Sequence, residues 1–233
     1  MKSLVLVAAG GLARETLAAV RASASHGRVL AVDDDPRQWG SSFHGVPVIG
    51  GLDRVADLLD GEVVVCAGRG SVRRSLVERL TRVGVTWEHY ARIVHPSVDI
   101  PASCVVGRGS ILLSHVSLTS DVRLGAHVVA MPQVTLTHDD VVADYATLCA
   151  GVSLGGGVTV GAAAYLGMNA SVRQGLRVGA GAVLGMGAVL LRSLPDEETW
   201  VGVPARPTAV PHRQDPSAGP VRDRVAGRTG GEA

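Results

Sequence analysis

One of the chain's eight histidines stands directly before two acids, in the run His138-Asp139-Asp140. Histidine changes charge near neutral pH and can take the proton of an attacking hydroxyl or amine. A neighbouring carboxylate fixes its tautomer and stabilises the imidazolium that forms. The chemistry expected of the pair is proton transfer during attack by an oxygen or nitrogen nucleophile. His44, His89, His95 and His212 fall outside the repetitive part of the chain or at its edge, where solvent or capping roles are expected. His26 and His115 have no acidic neighbour, and His127 is expected on the surface. A second feature is Gly155-Gly156-Gly157, which reads either as a tight corner or as bare backbone whose amide could hold an oxyanion. A third is the pairing of Gly10-Gly11, ahead of a helical pattern, with Asp33-Asp34-Asp35, at the end of a strand pattern. Backbone amides at a helix start suit a phosphate, and an acid at a strand end suits a ribose or base. The plainer alternative is a turn that only connects strand to helix.

His138 and Gly156 must be positioned by a six-residue period that runs without a missed step from Val94 to Leu190. Its leading positions, Val94, Ile100, Val106, Leu112 and onward, are large aliphatics except Ala130. The fourth residue after a leader is usually small or β-branched, as at Val116, Val134, Ala146 and Ala164. Glycine often follows a leader directly, as at Gly107, Gly125, Gly155, Gly167 and Gly185, and is expected to permit the turn there. Neither a helix nor simple alternation has this period. Three hexads make a triangular coil with the leader inside, and stacked coils bury a continuous apolar column. The repeat resembles the left-handed parallel β-helix of the hexapeptide-repeat acyltransferases, and its seventeen hexads correspond to five to six coils. Gly156 lies one coil after His138 and should stack beside it. Asp140 falls on an inward slot between Val122 and Val158, where an unpaired charge is costly. It is therefore expected to bond His138 or the local backbone, or to be held neutral.

Residues 1–92 read as a separate Rossmann-like domain. Strands are expected at Leu4–Ala9, Arg28–Val32 and Val63–Ala67, with helices from Leu12 to about Ser23 and from about Ser71 to Val83. This alternation implies a small parallel sheet with ligands at the carboxyl ends of its strands. The expected fold is thus an α/β parallel-sheet domain at 1–92, a left-handed parallel β-helix at 93–207 and a disordered tail at 208–233, which is rich in Pro, Gly, Arg and Asp.

Composition narrows the function. A net charge of +1 with scattered arginines offers no field for nucleic acid, and no segment is long enough to span a membrane. The apolar run after Lys2 breaks at Gly10-Gly11, so a first strand is expected and not a signal peptide, and the protein is expected in the cytoplasm. Cys66, Cys104 and Cys149 lack metal spacing and read as reduced, buried thiols.

Taken together, the motifs are similar to those of the sialic-acid O-acetyltransferase-like and bacillosamine-type sugar acetyltransferases. They are the Gly-Gly turn, Asp33-Asp34, Gly45-Val46-Pro47-Val48-Ile49-Gly50, His95-Pro96-Ser97, His138-Asp139, Leu166-Gly167-Met168-Asn169 and Val201-Gly202-Val203-Pro204-Ala205-Arg206. The resemblance implies His138 as general base, Asp139 as its orienting acid and the Gly156 amide facing the acetyl carbonyl. It implies acetyl-CoA in a groove between subunits of a homotrimer, near Gly167, Met168 and Gly185, with no metal. It also places the nucleotide part of a sugar substrate near Gly10, Gly11, Asp34 and Gly68. The chain departs from the family's Gly-x-x-Gly-His-Gly turn at Ala8, Leu12 and Ala13. Thr147 stands where some relatives carry a histidine that contacts the thioester, and could donate one hydrogen bond.

The expected activity is acetyl transfer from acetyl-CoA to an amino group of a nucleotide-linked sugar. Alternatives are sugar O-acetylation of the sialic-acid type and a non-catalytic nucleotide-sugar scaffold. A hexapeptide-fold metalloenzyme of the carbonic-anhydrase type would need three converging histidines, and His138 does not share the hexad slot of His115 and His127.

Overall fold

The structure, a computed structural model, describes residues 1–208. Strand β1 (Leu4–Val7) is buried throughout, because its alternate side chains face two different layers. Leu4 and Leu6 pack with Leu12, Leu17 and Val20 of helix α1 (Gly11–Ser23) and with Ile111 and Val129 of the solenoid. Val5 and Val7 pack with Leu76 and Leu80 of helix α2 (Gly70–Arg82). Parallel strands flank β1 on both sides, β2 (Val29–Val32) and Glu62–Val65, with Leu4 opposite Val29 and Glu62. These elements match the expected types and order, with ends displaced by a few residues. A short hairpin, Ser42–Phe43 with Val46–Pro47, lies where no element was expected.

From Ile93 onward the chain is a parallel β-solenoid of two-residue strands, each ending on a hexad leader. Strands pair across one coil, as Thr135 with Ser153 and Leu136 with Leu154, so three parallel sheets form a triangular prism. The leaders and the small residues four places on fill one continuous core. The hexad led by Ile100 forms no strand, and Pro101, which has no N–H to give, follows it. At the far end Thr199–Val201 joins one sheet and Arg206–Pro207 folds back on it, with Trp200 and Ala205 closing the core.

The glycines after the leaders do a different job from the one expected. The left-handed backbone of each corner falls three residues after the leader, as at His127, Asp139, Tyr145, Asn169, Gly157 and Gly175. Glycine directly after a leader is required by stacking: a Cβ on Gly125 would lie 2.7 Å from the Asp144 amide nitrogen, and one on Gly167 2.5 Å from that of Met186.

The three outer faces differ in what their strands point outward. One presents Ile111, Val129 and Thr147, all buried beneath the N-terminal region. A second exposes Val105, Arg123, Val141, Thr159 and Arg177. The third carries the small residues Ser117, Thr135, Ser153 and Ser171. All three cysteines are free and buried, as expected. Apart from Thr208, the expected disordered tail lies outside the described residues. Among them no helix is long and apolar enough to cross a membrane.

Candidate active site

The corner after Thr135–Leu136 carries His138, and Asp139 occupies its left-handed position with φ of 63°. Asp, Asn and Gly tolerate that conformation best, so the backbone and the chemistry favour the same residue type. His138 Nδ1 lies 2.8 Å from Asp139 Oδ2, with about two-thirds of each side chain exposed. With the carboxylate as acceptor, Nδ1 carries the proton and Nε2 is the free base. The ring covers Gly156 as the spacing predicted: a Cβ there would lie 2.3 Å from both Cε1 and Nε2. A side chain at 156 would push the imidazole out of this position. The Gly156 carbonyl accepts from Gly175, whereas its N–H has no acceptor among the described residues.

Asp140 is fully buried and does bond the local backbone. Oδ2 accepts from Thr137 N–H at 2.8 Å and Oδ1 from Val158 N–H at 2.8 Å. Burial pushes its carboxyl up to about 6 although both hydrogen bonds and the nearby His138 favour ionisation.

Thr147 does not sit where the resemblance places it. It is fully buried, gives its one hydroxyl proton to the Gly68 carbonyl at 2.8 Å, and accepts from Arg73 Nη2 at 3.0 Å. It cannot donate to a thioester while that bond stands; it fastens the solenoid to the N-terminal region. The larger part of that fastening is Arg73, which was not anticipated. Its guanidinium, fully buried without a carboxylate partner, donates to the carbonyls of His127, Ala67, Gly68, Tyr145 and Ala146. Burial draws its pKa down to about 10. The signal was available, since Gly70, Arg73, Leu76 and Leu80 share the buried stripe of α2.

His127 is also misplaced by the surface reading. It is 2% exposed, stacked on Tyr145 at 5.1 Å and edge-on to Tyr90, with its pKa drawn down to about 4 by burial and by Arg73. The N-terminal region covers its slot, which the hexad pattern alone does not reveal. Among the described residues no cluster of three or more His, Cys, Asp or Glu could hold a metal.

Gly10, Gly11 and Gly68 line the carboxyl edge of the parallel sheet, and a Cβ on any of them would meet open space. Packing therefore does not require glycine at these points. Asp34 is held by Arg79, whose Nη2 lies 2.8 Å from Oδ1, and this ion pair keeps its carboxyl below the ordinary range. Asp33 instead accepts from Ala9 N–H at 2.7 Å and braces the Gly-Gly turn. Ala8 enters that turn with φ of 74°, a strained conformation for a residue with a Cβ. A cavity of about 150 Å³ lies against Ala8, Asp33, Asp34 and Val72. A second of about 240 Å³ shares Ala67 and Val72 with it and runs past Gly68 and Arg69 to Met131 and Tyr165 on the solenoid. Met168 and Met186 stand exposed on another solenoid corner, not that of His138. Gly167 and Gly185 are there because the next coil leaves no room for a Cβ.

No protein-family model matches the sequence, and no curated protein matches it. Solved structures do. The acetyltransferase domain of PglB from Neisseria gonorrhoeae FA1090, in complex with acetyl coenzyme A, is 26% identical over 89% of this chain and 99% of that one, with a TM-score of 0.82. PerB from Caulobacter crescentus, in complex with CoA and GDP-perosamine, is 28% identical over 89% and 98% of the two chains, with a TM-score of 0.82. A variant of the perosamine N-acetyltransferase from that organism, with one histidine replaced by asparagine, is 27% identical over 90% and 98%, with a TM-score of 0.83. The fold is that of the hexapeptide-repeat sugar acetyltransferases, a left-handed parallel β-helix behind a small parallel sheet. The resemblance read from the sequence holds for hexapeptide-repeat sugar acetyltransferases; these neighbours include an acetyltransferase domain and a perosamine N-acetyltransferase, and they do not extend it to sialic-acid O-acetylation.

Proposed function

We propose that this chain transfers the acetyl group of acetyl-CoA to an amino group of a nucleotide-linked sugar, with His138 as general base. The observation that carries the proposal is the His138–Asp139 pair seated over Gly156, whose N–H has no acceptor among the described residues, in a fold whose neighbours hold acetyl-CoA or CoA with GDP-perosamine. The sugar nitrogen attacks the thioester carbonyl while Nε2 takes its proton. The Gly156 N–H stabilises the oxyanion. Collapse expels the CoA thiolate, which recovers the proton from the imidazolium, and Asp139 holds the ring in one tautomer throughout.

The N-terminal region forms the acceptor domain in this reading. Gly10, Gly11 and Gly68 admit the nucleotide to the sheet edge, Asp34 reaches the ribose or base once released from Arg79, and the linked cavities lead the sugar toward the solenoid. The donor lies along Gly167, Met168 and Gly185. In a single chain His138 occupies one corner and Met168 and Met186 another, with these two methionines 48% and 72% exposed. A homotrimer that apposes these corners completes the site and shields a base otherwise open to water. A cytoplasmic location belongs to the same proposal, because both co-substrates are charged molecules that a bilayer excludes.

The test is release of free CoA from acetyl-CoA across GDP-, UDP- and TDP-linked amino sugars and free sialic acid, with His138→Ala and Asp139→Asn alongside. Turnover on a nucleotide amino sugar is expected, falling at least about 100-fold in His138→Ala. Asp139→Asn keeps the left-handed backbone and so reads the carboxylate alone. Turnover on sialic acid alone, or unimpaired turnover without His138, would refute the proposal.

A further inference from the structure

From Gly107 to Gly185, the residue following each leader gives its N–H to the carbonyl of the leader one coil on, or its equivalent in the terminal coil. At the corner that carries the base, Thr119 bonds Leu136 at 3.1 Å, Gly155 bonds Val172 at 2.9 Å and Arg173 bonds Leu190 at 3.1 Å. Thr137 is the one exception in this run. Its N–H turns inward to Asp140 Oδ2 at 2.8 Å, and the carbonyl it leaves, that of Leu154, receives the Thr137 hydroxyl at 3.0 Å. The other Asp140 oxygen reaches the next coil and takes the buried Val158 N–H at 2.8 Å. The irregular rung thus lies between the residue preceding His138 and the coil that holds Gly156.

We propose that Asp140, together with Thr137, is a positioning residue that sets the His138 imidazole over Gly156 by replacing one backbone rung of the solenoid with two side-chain bridges. A regular rung would draw the Thr137 amide toward Leu154 and carry the His138 backbone with it. In the bridged form one side chain spans both coils, from the turn bearing the base to the residue two places beyond the oxyanion donor. Val122 and Val158, its neighbours in the stack, show what an ordinary coil places in this slot. Burial pushes the Asp140 carboxyl up, a cost that the adjacent coils, with valine in the same slot, do not carry.

The inference rests on the proposed role of His138, and the experiment separates the two. Asp140→Val inserts the side chain the adjacent coils already hold, so the variant is expected to fold and to melt at or above the wild-type temperature. Its kcat is expected to fall about 10- to 100-fold with KM for both substrates within about twofold, as for a displaced catalytic group. Asp140→Asn, which keeps one acceptor oxygen, is expected to fall between. Wild-type kcat in Asp140→Val, with His138→Ala inactive, overturns the positioning role while leaving the base in place. A crystal structure of Asp140→Val reads the geometry without turnover: Thr137 N–H on the Leu154 carbonyl and a ring displaced from Gly156 are expected. An unmoved ring overturns the proposal even if no acceptor is turned over.

Discussion

Replacing Arg73 by methionine keeps the length and apolar stem of the side chain and removes its donors. Six hydrogen bonds, between 2.7 and 3.0 Å, disappear. Their loss is not uniform. The Gly68 carbonyl keeps its bond from Thr147, and the Ala146 carbonyl keeps that from Val129 N–H. The carbonyls of Ala67, His127 and Tyr145 receive no other donor among the described residues. Leaving a buried acceptor unpaired costs about 1–3 kcal/mol. Water can reach part of the Ala67 and Tyr145 contacts, so the low end applies there, and the sum is roughly 3–5 kcal/mol. Relief of the buried guanidinium, marked by its pKa falling from 12.5 to about 10, returns part of this. A net loss of up to about 2 kcal/mol is expected for Arg73→Met. Arg73→Lys, with three donors and no planar fork, should lose nearly as much. The assay is urea unfolding followed by tryptophan fluorescence, with Trp87 reporting beside the junction and Trp200 reporting the end of the solenoid. Unchanged or raised stability in both variants would refute the idea that one arginine holds the two parts together.

Two further outcomes follow from local geometry. Ala8→Gly relieves the left-handed backbone at the start of the sheet edge, and the gain of about 1–2 kcal/mol exceeds the added unfolded-chain entropy of about 0.5–1 kcal/mol. The variant should melt slightly higher, and a lower melting temperature would show that Ala8 packing outweighs its strain. Asp140, whose folded pKa of about 6 lies above the ordinary 3.8, favours the folded state fully below pH 3.8 and loses that contribution as pH rises through 6. The difference in stability between wild type and Asp140→Val should therefore shift by roughly 3 kcal/mol in favour of the variant between pH 3.5 and pH 7. A pH-independent difference in chemical-denaturation curves would mean that the carboxyl titrates normally.

Much of the fold was legible because a solenoid repeats one packing problem. Each inward slot recurs at a fixed spacing, so seventeen hexads state the register independently, and the stacking of His138 on Gly156 follows from arithmetic. What the period cannot state is which outward slots another part of the chain will cover. His127 and Thr147 occupy outward slots like those of exposed residues, and both are buried because α2 lands on them. The placement of α2 depends in turn on Gly70, where a Cβ would lie 2.0 Å from the Tyr145 carbonyl oxygen, and on Arg73 one turn later. These are contacts between residues more than fifty positions apart, invisible to any local pattern.

The same distinction explains why glycine misled where it was most abundant. Two demands act at the corners: a left-handed residue to turn the chain and, at those that carry glycine after the leader, an absent Cβ to let coils touch. The sequence shows glycine meeting the second demand after the leaders, while the first is met three places on by Asp, Asn, His, Tyr and Gly alike. At the corner after Leu136 the first demand coincides with the proposed chemistry. The left-handed slot holds the acid bonded to His138, while Gly156, one place beyond the post-leader Gly155, lies beneath the ring. Asp139→Ala would therefore disturb two things at once, adding backbone strain of about 1–2 kcal/mol to the loss of the carboxylate, whereas Asp139→Asn separates them. The left-handed backbone of this corner favours a residue such as Asp, so a histidine placed just before it, over Gly156 of the next coil, acquires its carboxylate partner at little extra cost.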